Sequence, residues 1–357
     1  MTMNEQSNEA VSVRPDRDGG PVYILAVETS CDETSVAIVR DGKDILANVV
    51  SSQIETHQRF GGVVPEVASR KHVESITWII EEALDKANVK PAELAAVAVT
   101  QGPGLVGSLL VGMVAAKALA CALELPLIGV HHIAGHIYAN QLVNELEYPF
   151  VALVVSGGHT ELVFVEAEGR FRIIGQTRDD AVGEAYDKVA RALKLPYPGG
   201  PHIDRLAHEA REAVTLPRAW LEPDSYDFSF SGLKSAVLAA LNQAAMKGQP
   251  LAPEAVAKGF QDSVIDVLVE KALRAVRAYG AKQLILAGGV AANKGLRAEL
   301  EARCAEAGVP LLAPPLSLCT DNAAMIAAAA FLKYRRGQFA PFDMKAEPLL
   351  KLEAWSV

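Results

Sequence analysis

Twice in this chain a short apolar run enters a small polar turn rich in hydroxyls and then returns as a second apolar run. Residues 23–27 lead into Glu28-Thr29-Ser30-Cys31-Asp32-Glu33-Thr34-Ser35, and residues 36–39 return before an Asp41-Gly42 turn. Residues 150–155 lead into Ser156-Gly157-Gly158-His159-Thr160, and residues 162–165 return. Runs this short, bounded by turn residues, read as strand-turn-strand units. Their recurrence at the start of two halves points to a duplicated lobe. Each half then adds a strand, a glycine-bearing loop and a helix. Residues 95–99 lead into Gln101-Gly102-Pro103-Gly104, and residues 284–287 lead into Gly288-Gly289-Val290-Ala291-Ala292-Asn293. Alternating strands and helices imply an α/β fold. Glycine-rich turns at the carboxyl ends of strands are ligand sites, and a following helix N-terminus favours a phosphate. One such loop is equally a tight turn, but four of them across both halves argue for two related lobes around a nucleotide cleft.

At 357 residues and 50% hydrophobic, the chain can build about two domains. Its net charge of −9 excludes a globally basic nucleic-acid binder, though not a local basic patch. Four widely spaced cysteines, Cys31, Cys121, Cys304 and Cys319, give neither a disulfide framework nor a zinc ribbon. A reducing, cytoplasmic setting is expected. Residues 1–21 are polar, carry no signal-peptide core and read as a disordered tail. Residues 105–130 are strongly apolar, but Lys117 and Glu124 interrupt them and Pro126 ends them. A buried helix followed by a short strand is expected there, with no membrane span. Residues 65–88 read as an amphipathic helix that covers a lobe, with Val67, Ile76, Ile79, Ile80, Ala83 and Leu84 inward. Residues 252–279 form a second long helix, to which only packing is assigned.

The chemistry concentrates in Val130-His131-His132-Ile133-Ala134-Gly135-His136. On a helix, His132 and His136 share one face a turn apart, and two neutral imidazoles so placed can grip one divalent metal. A surface or interdomain contact is the plain alternative. The metalloprotease pattern is excluded, because Ile133 stands where that motif needs a glutamate base. Asp321, in Cys319-Thr320-Asp321-Asn322, reads alone as a helix cap. Beside the histidine pair it is the natural third ligand, and a His-His-carboxylate set suits iron or zinc. Asp187-Lys188 reads as a solvated ion pair. Tyr197-Pro198-Gly199-Gly200-Pro201 is a rigid turn in which Gly200 allows close approach of a base or ribose, and Asp204 follows as an acceptor for ribose hydroxyls. Turn chemistry explains each of these singly. The string Asp227-Phe228-Ser229-Phe230-Ser231-Gly232-Leu233-Lys234 is assigned a strand end or cap and no chemistry.

Taken in order, the turns at residues 28–34 and 155–160, His132-Ile133-Ala134-Gly135-His136, the proline-glycine turn at 197–201, residues 228–234, the loop at 288–293 and Thr320-Asp321-Asn322 resemble the TsaD family. These are bacterial tRNA threonylcarbamoyltransferases, once called Gcp. The resemblance runs from about Tyr23 to the low 340s. It implies an actin-like ATPase (ASKHA) fold of two duplicated ribonuclease H-like lobes: residues 22–130 with about 326–350, and residues 131–325 carrying the nucleotide and metal site. It implies transfer of threonylcarbamoyl from threonylcarbamoyl-AMP to N6 of the adenosine 3′ of the anticodon, in tRNAs reading codons that start with A. By the match, His132, His136 and Asp321 hold a metal, Fe2+ with Zn2+ as the alternative. Val154, Val155, Ser156, Gly157, Gly158, Asp187, Gly200, Asp204 and Asn293 contact the adenylate. The implied partners are TsaB, a paired actin-like subunit, TsaE, an ATPase, and TsaC, the source of the adenylate. The departures are the tail before Tyr23 and Tyr186 in place of an expected Phe. Asp32 and Glu33 are candidates for proton handling or tRNA positioning, with ordering of the turn as the equal alternative. Arg59, Arg70, Lys71, Lys188 and Arg191 are candidates for local positive charge toward tRNA. The rivals are an ATPase or phosphotransferase of the same fold, a peptidase, and a non-catalytic partner subunit.

Overall fold

The computed structural model describes residues 20–355, so nearly all of the tail assigned to residues 1–21 lies outside the described residues. The chain begins with strands β1 (Tyr23–Glu28), β2 (Glu33–Arg40) and β3 (Asp44–Ser52), followed by helices α1 (Ile54–Gln58) and α2 (Pro65–Ala87). Then come β4 (Leu94–Gly102), α3 (Val106–Ala122), β5 (Leu127–His131) and α4 (His132–Tyr138). The second run is β6 (Phe150–Val155), β7 (Thr160–Ala167), β8 (Arg170–Gln176), α5 (Val182–Ala192), α6 (Gly199–Glu209), α7 (Ser231–Met246) and α8 (Pro253–Tyr279). It closes with β9 (Leu284–Ala287), α9 (Lys294–Ala307), β10 (Leu311–Leu312) and α10 (Ala323–Arg335).

The strands form two five-stranded sheets of one topology, β3-β2-β1-β4-β5 and β8-β7-β6-β9-β10. In each sheet the first three strands are antiparallel and the last two run parallel to the central one. The duplication expected from the two turns is therefore a duplication of whole sheets. Both turns are shorter than the sequence indicates. β2 begins at Glu33, which leaves residues 29–32 as the first turn, and β7 begins at Thr160. The pattern also missed β3 and β8, the antiparallel edge strands.

Central strands buried on both faces need no polar alternation, and β6 (Phe-Val-Ala-Leu-Val-Val) is buried throughout. One core cluster lies beneath α2 and α3, and another surrounds α8 in the second half. A third spans the two sheets, joining Ala26 and Ala98 to Ala152, Val154 and Ile285. α4 and the alanine-rich α10 fill that space. Their contact depends on Gly135, where a Cβ would stand 2.8 Å from Ile326 Cδ1. The site described below sits on these two helices. As expected, residues 105–130 form α3 and β5, and no helix among the described residues is long and apolar enough to cross a membrane.

Glu161 on β7 has a buried Oε2 without a hydrogen-bond partner among the described residues. Burial, with Glu353 adding, raises its carboxyl to about 7. A carboxyl raised in the folded state contributes stability that is complete below its ordinary pKa and disappears as pH rises through about 7. Glu161→Gln removes this dependence. Relative to the variant, the wild type should lose about 2 kcal/mol between pH 5 and pH 8. Urea unfolding of both proteins at the two pH values checks it, and parallel pH profiles would refute the assignment.

Candidate metal centre

β5 delivers His132 from its carboxyl end directly into α4, and a turn later α4 presents His136 on the same face. The two rings are 4.7 Å apart and nearly perpendicular. Asp321 arrives from the segment just before α10. It is not the cap of that helix, because the Asn322 side chain takes that role by accepting from Met325 N at 3.1 Å. Asp321 Oδ1 is thereby free to approach His136 Nε2 at 3.1 Å and His132 Nε2 at 3.5 Å. Both histidines are buried, whereas the Asp321 side chain retains 19% exposure and so marks the open side.

These three residues fit a divalent ion. Ligand atoms about 2.1 Å from a shared ion stand roughly 3 to 3.5 Å apart; Asp321 Oδ1 meets both imidazoles at such distances, and all three ligand atoms lie within 4.8 Å of one another. The tautomer is set as well. His132 Nδ1–H donates to Glu28 Oε2 at 3.0 Å, so an ion that displaces the proton from Nε2 would meet that nitrogen's lone pair on the Asp321 side. Glu28 is itself fully buried, accepting from Thr100 Oγ1 at 2.6 Å and from Ser30 N. Ser30 Oγ stands 3.2 Å from His132 Nδ1. The charges agree with this arrangement. Burial opposes a proton on His132, but Asp321 and Glu28 outweigh it and raise the ring to about 9. Burial lowers His136, with His132 adding and Asp321 opposing. Asp321 and Glu28 are both held low despite burial, chiefly by His132. The pocket is built for positive charge between two carboxylates.

Asp32 and Glu33 lie beside this centre. Burial raises Glu33 well above the usual carboxylate range, with Asp32 and then Asp321 adding to it. Across the cleft, burial raises Asp187, against a hydrogen bond from Gly199 N at 2.7 Å, and Asp32 again contributes. Burial also raises Tyr197, with Asp32 and Asp187 adding. Asp32 thus bears electrostatically on Glu33, Asp187 and Tyr197.

Val154 and Val155 are buried at the end of β6, and the turn after them is closed by Ser156. Its Oγ accepts from His159 N at 3.0 Å and its carbonyl from Gly183 N at 3.2 Å. Gly157 and Gly158 are exposed, and a Cβ on either would meet nothing. Gly183 differs, since its Cβ would stand 2.6 Å from Ser156 O, so α5 begins hard against this loop. Gly200 is likewise open. Asp204 and Asn293 form a separate group at the start of α9. Asp204 accepts from Lys294 N at 3.1 Å, Gly295 N at 3.3 Å and Gln261 Nε2 at 3.0 Å. Asn293 caps α9 through Leu296 N and donates to Gln261 Oε1 at 2.9 Å, to which Tyr186 OH also donates at 3.3 Å.

Three readings change. Lys188 pairs with Asp180 and Glu184, each at 2.7 Å, instead of with Asp187. α8 does more than pack, because its buried Gln261 joins Asp204, Asn293 and Tyr186. Glu28, quoted only as part of a turn, orients the His132 ring. A charged residue closing an otherwise apolar strand was the available signal for it. Residues 228–231 lead into α7 without capping it themselves; Asp179 caps that end, accepting from Ser229 Oγ, Phe230 N and Ser231 Oγ.

Residues 44–328 match the TsaD family, described as tRNA N6-adenosine threonylcarbamoyltransferase. A protein of that name from Bacillus thuringiensis (strain Al Hakam) is 64% identical over 332 residues, covering 93% of this chain and 97% of the relative. Among solved structures, full-length HypF in its phosphate- and nucleotide-bound form matches with a TM-score of 0.59 at 14% identity, over 89% of this chain and 47% of HypF. Component A of (R)-2-hydroxyglutaryl-CoA dehydratase from Acidaminococcus fermentans matches at 0.55 and 18% identity, over 88% and 98%. The two repeated sheets and these neighbours place the chain in the actin-like fold.

Proposed function

The chain belongs to the TsaD family of tRNA N6-adenosine threonylcarbamoyltransferases and is a transferase acting on tRNA; from this we propose a specific reaction and site. The donor is threonylcarbamoyl-AMP, and the acceptor is N6 of the adenosine 3′ of the anticodon in tRNAs that read codons starting with A. The amine nitrogen bonds to the carbamoyl carbon, the bond from that carbon to the phosphate oxygen breaks, AMP leaves, and the amine gives up a proton. His132, His136 and Asp321 would hold Fe2+, with Zn2+ as the alternative, and such an ion supplies Lewis acidity toward a carbonyl oxygen. The observation that carries the reading is the His-His-Asp set, its histidines buried and its aspartate part-exposed, backed by Glu28, which the Asp32–Glu33 turn follows closely.

Asp187, Gly200, Asp204 and Asn293 are assigned to the adenosine, and the open Gly157-Gly158 loop to its phosphate. The lobes are assigned as residues 22–130 with about 326–350, and residues 131–325. Asp32 or Glu33 takes the amine proton, the two standing side by side at the start of β2. TsaB, TsaE and TsaC are assigned as partners, in the cytoplasm. An exposed apolar stripe on α3, formed by Val106, Leu110 and Val114, supports docking of a protein subunit. Of the basic candidates, Lys71 and Lys188 are paired and Arg191 donates to Gly61 O, which leaves Arg59 and Arg70 as the exposed choices for tRNA.

Transfer of labelled threonylcarbamoyl from its AMP ester to a tRNA transcript, with the partners added, tests the reading. Label on the tRNA supports it. Absence of label with retained adenylate binding favours a non-catalytic subunit, and Mg2+-dependent ATP turnover by the isolated chain with no dependence on iron favours an ATPase. Asp32→Ala should lower transfer about 100-fold without weakening adenylate binding. Unchanged turnover in that variant removes Asp32 from the chemistry.

A further inference from the structure

We infer that the C-terminal segment, residues 347–355, is a strap that positions the metal centre, and that His131 transmits its hold to His132. The inference rests on the reading of His132, His136 and Asp321 as metal ligands. His131 is 1% exposed, and both its ring nitrogens are engaged. Nδ1 accepts from Ile133 N at 3.1 Å, which caps α4, and Nε2–H donates to Leu350 O at 3.0 Å. One neutral tautomer satisfies both bonds, so the ring ties the first turn of the ligand helix to the strap.

The strap is anchored on both sheets. Glu347 N donates to Gln101 O at 2.8 Å, and Pro348 O accepts from Gly104 N at 3.3 Å. Trp355 Nε1 donates to Gly129 O of β5 at 3.0 Å, and Glu353 accepts from Ile173 N of β8 at 3.1 Å. Leu352 and Trp355 are buried in the cluster between the sheets. Contact at Gly102 is so close that a Cβ there would overlap Glu347 O. A second route reaches the same ligand. The loop held by residues 347 and 348 continues to Leu105, whose N–H donates to Ser30 O at 2.8 Å, and Ser30 Oγ touches His132 Nδ1. The strap therefore bears on His132 both through its neighbour in sequence and through the turn behind its ring. His131 is a positioning residue here, since it touches neither substrate nor metal.

The test measures Co2+ affinity of the full-length protein by chelator competition, the visible spectrum of bound Co2+, and thermal unfolding of the metal-free form. His131→Asn keeps an oxygen able to cap Ile133 N but falls short of Leu350 O. His131→Ala removes both bonds. Trp355→Phe keeps an aromatic ring in the packing and removes the bond to Gly129 O, touching neither His131 nor the three site residues. Weakening by about 10-fold in His131→Asn, a smaller weakening in Trp355→Phe, and altered Co2+ spectra in both are the expected results. If His131→Asn does not fold, Trp355→Phe decides alone. Wild-type affinity and spectrum in the variants, with only the unfolding temperature lowered, would overturn the strap. So would a loss confined to His131→Ala, which belongs to the helix cap. Failure of the wild type to bind Co2+, or undiminished binding by His132→Ala, would overturn the metal reading instead.

Discussion

His132→Ala should abolish both ion binding and threonylcarbamoyl transfer, lowering turnover by about three orders of magnitude. The variant loses a donor from a set of three, and the remaining two, His136 and Asp321, make a poor chelate. It also strands Glu28. That carboxylate keeps Thr100 and Ser30 but loses the positive neighbour that holds its pKa down, and full burial will then favour its protonated form. Taking up a proton limits the stability loss to about 1–3 kcal/mol, so the protein should remain folded. Adenylate binding should survive, since the residues assigned to it lie on the β6 loop, α5, α6 and the start of α9, away from α4. Metal content by mass spectrometry and labelled transfer are to be measured on the same preparation. Loss of both establishes the ion as part of the chemistry. Loss of the ion with transfer intact would reduce the centre to a structural role.

The parts of this site that were legible in the sequence are those with a local signature. His132 and His136 are one helical turn apart on a single element, so spacing alone brings them together. The recurrent turns disclosed the duplicated halves because central strands, buried on both faces, leave continuous apolar runs. The edge strands β3 and β8 leave only short, broken ones, such as Ile45-Leu46-Ala47 interrupted by Asn48. β8 reads Arg-Phe-Arg-Ile-Ile-Gly-Gln and is mostly half-exposed, so its pairing with β7 rather than its composition makes it a strand. Asp321 could be read only as a cap or a ligand until its neighbour Asn322 was seen to take the cap. Gln261 was illegible for a different reason. A glutamine inside a long helix carries no pattern, and its role follows from Asp204 and Asn293, which reach it from distant segments. His131 differs again, since its partner Leu350 O belongs to a segment that the sequence does not connect with α4.

Glu28→Gln should weaken ion binding by about 10- to 100-fold, with transfer recovering as metal is added in excess. Two physical effects act in the same direction. Every group around Glu28 is a donor when His132 coordinates through Nε2: Ser30 N–H, Thr100 O–H and His132 Nδ1–H all point at it. A glutamine must aim its own NH2 into that ring of donors, and one buried donor is left unmade at a cost of about 1–3 kcal/mol. Charge is the second effect. A divalent ion between Glu28 and Asp321 is neutralised by two carboxylates, whereas the amide leaves one positive charge uncompensated in a buried site. Glu28→Asp, which keeps the charge at shorter reach, should fall between wild type and the amide. Recovery at high metal separates this variant from His132→Ala, because orientation and charge set affinity whereas the missing ligand cannot be replaced by concentration. A metal titration of transfer for the three proteins reads the difference directly. If Glu28→Gln binds the ion as tightly as wild type, Glu28 serves only to hold the Thr29–Asp32 turn, and the polarity of His132 must be set elsewhere.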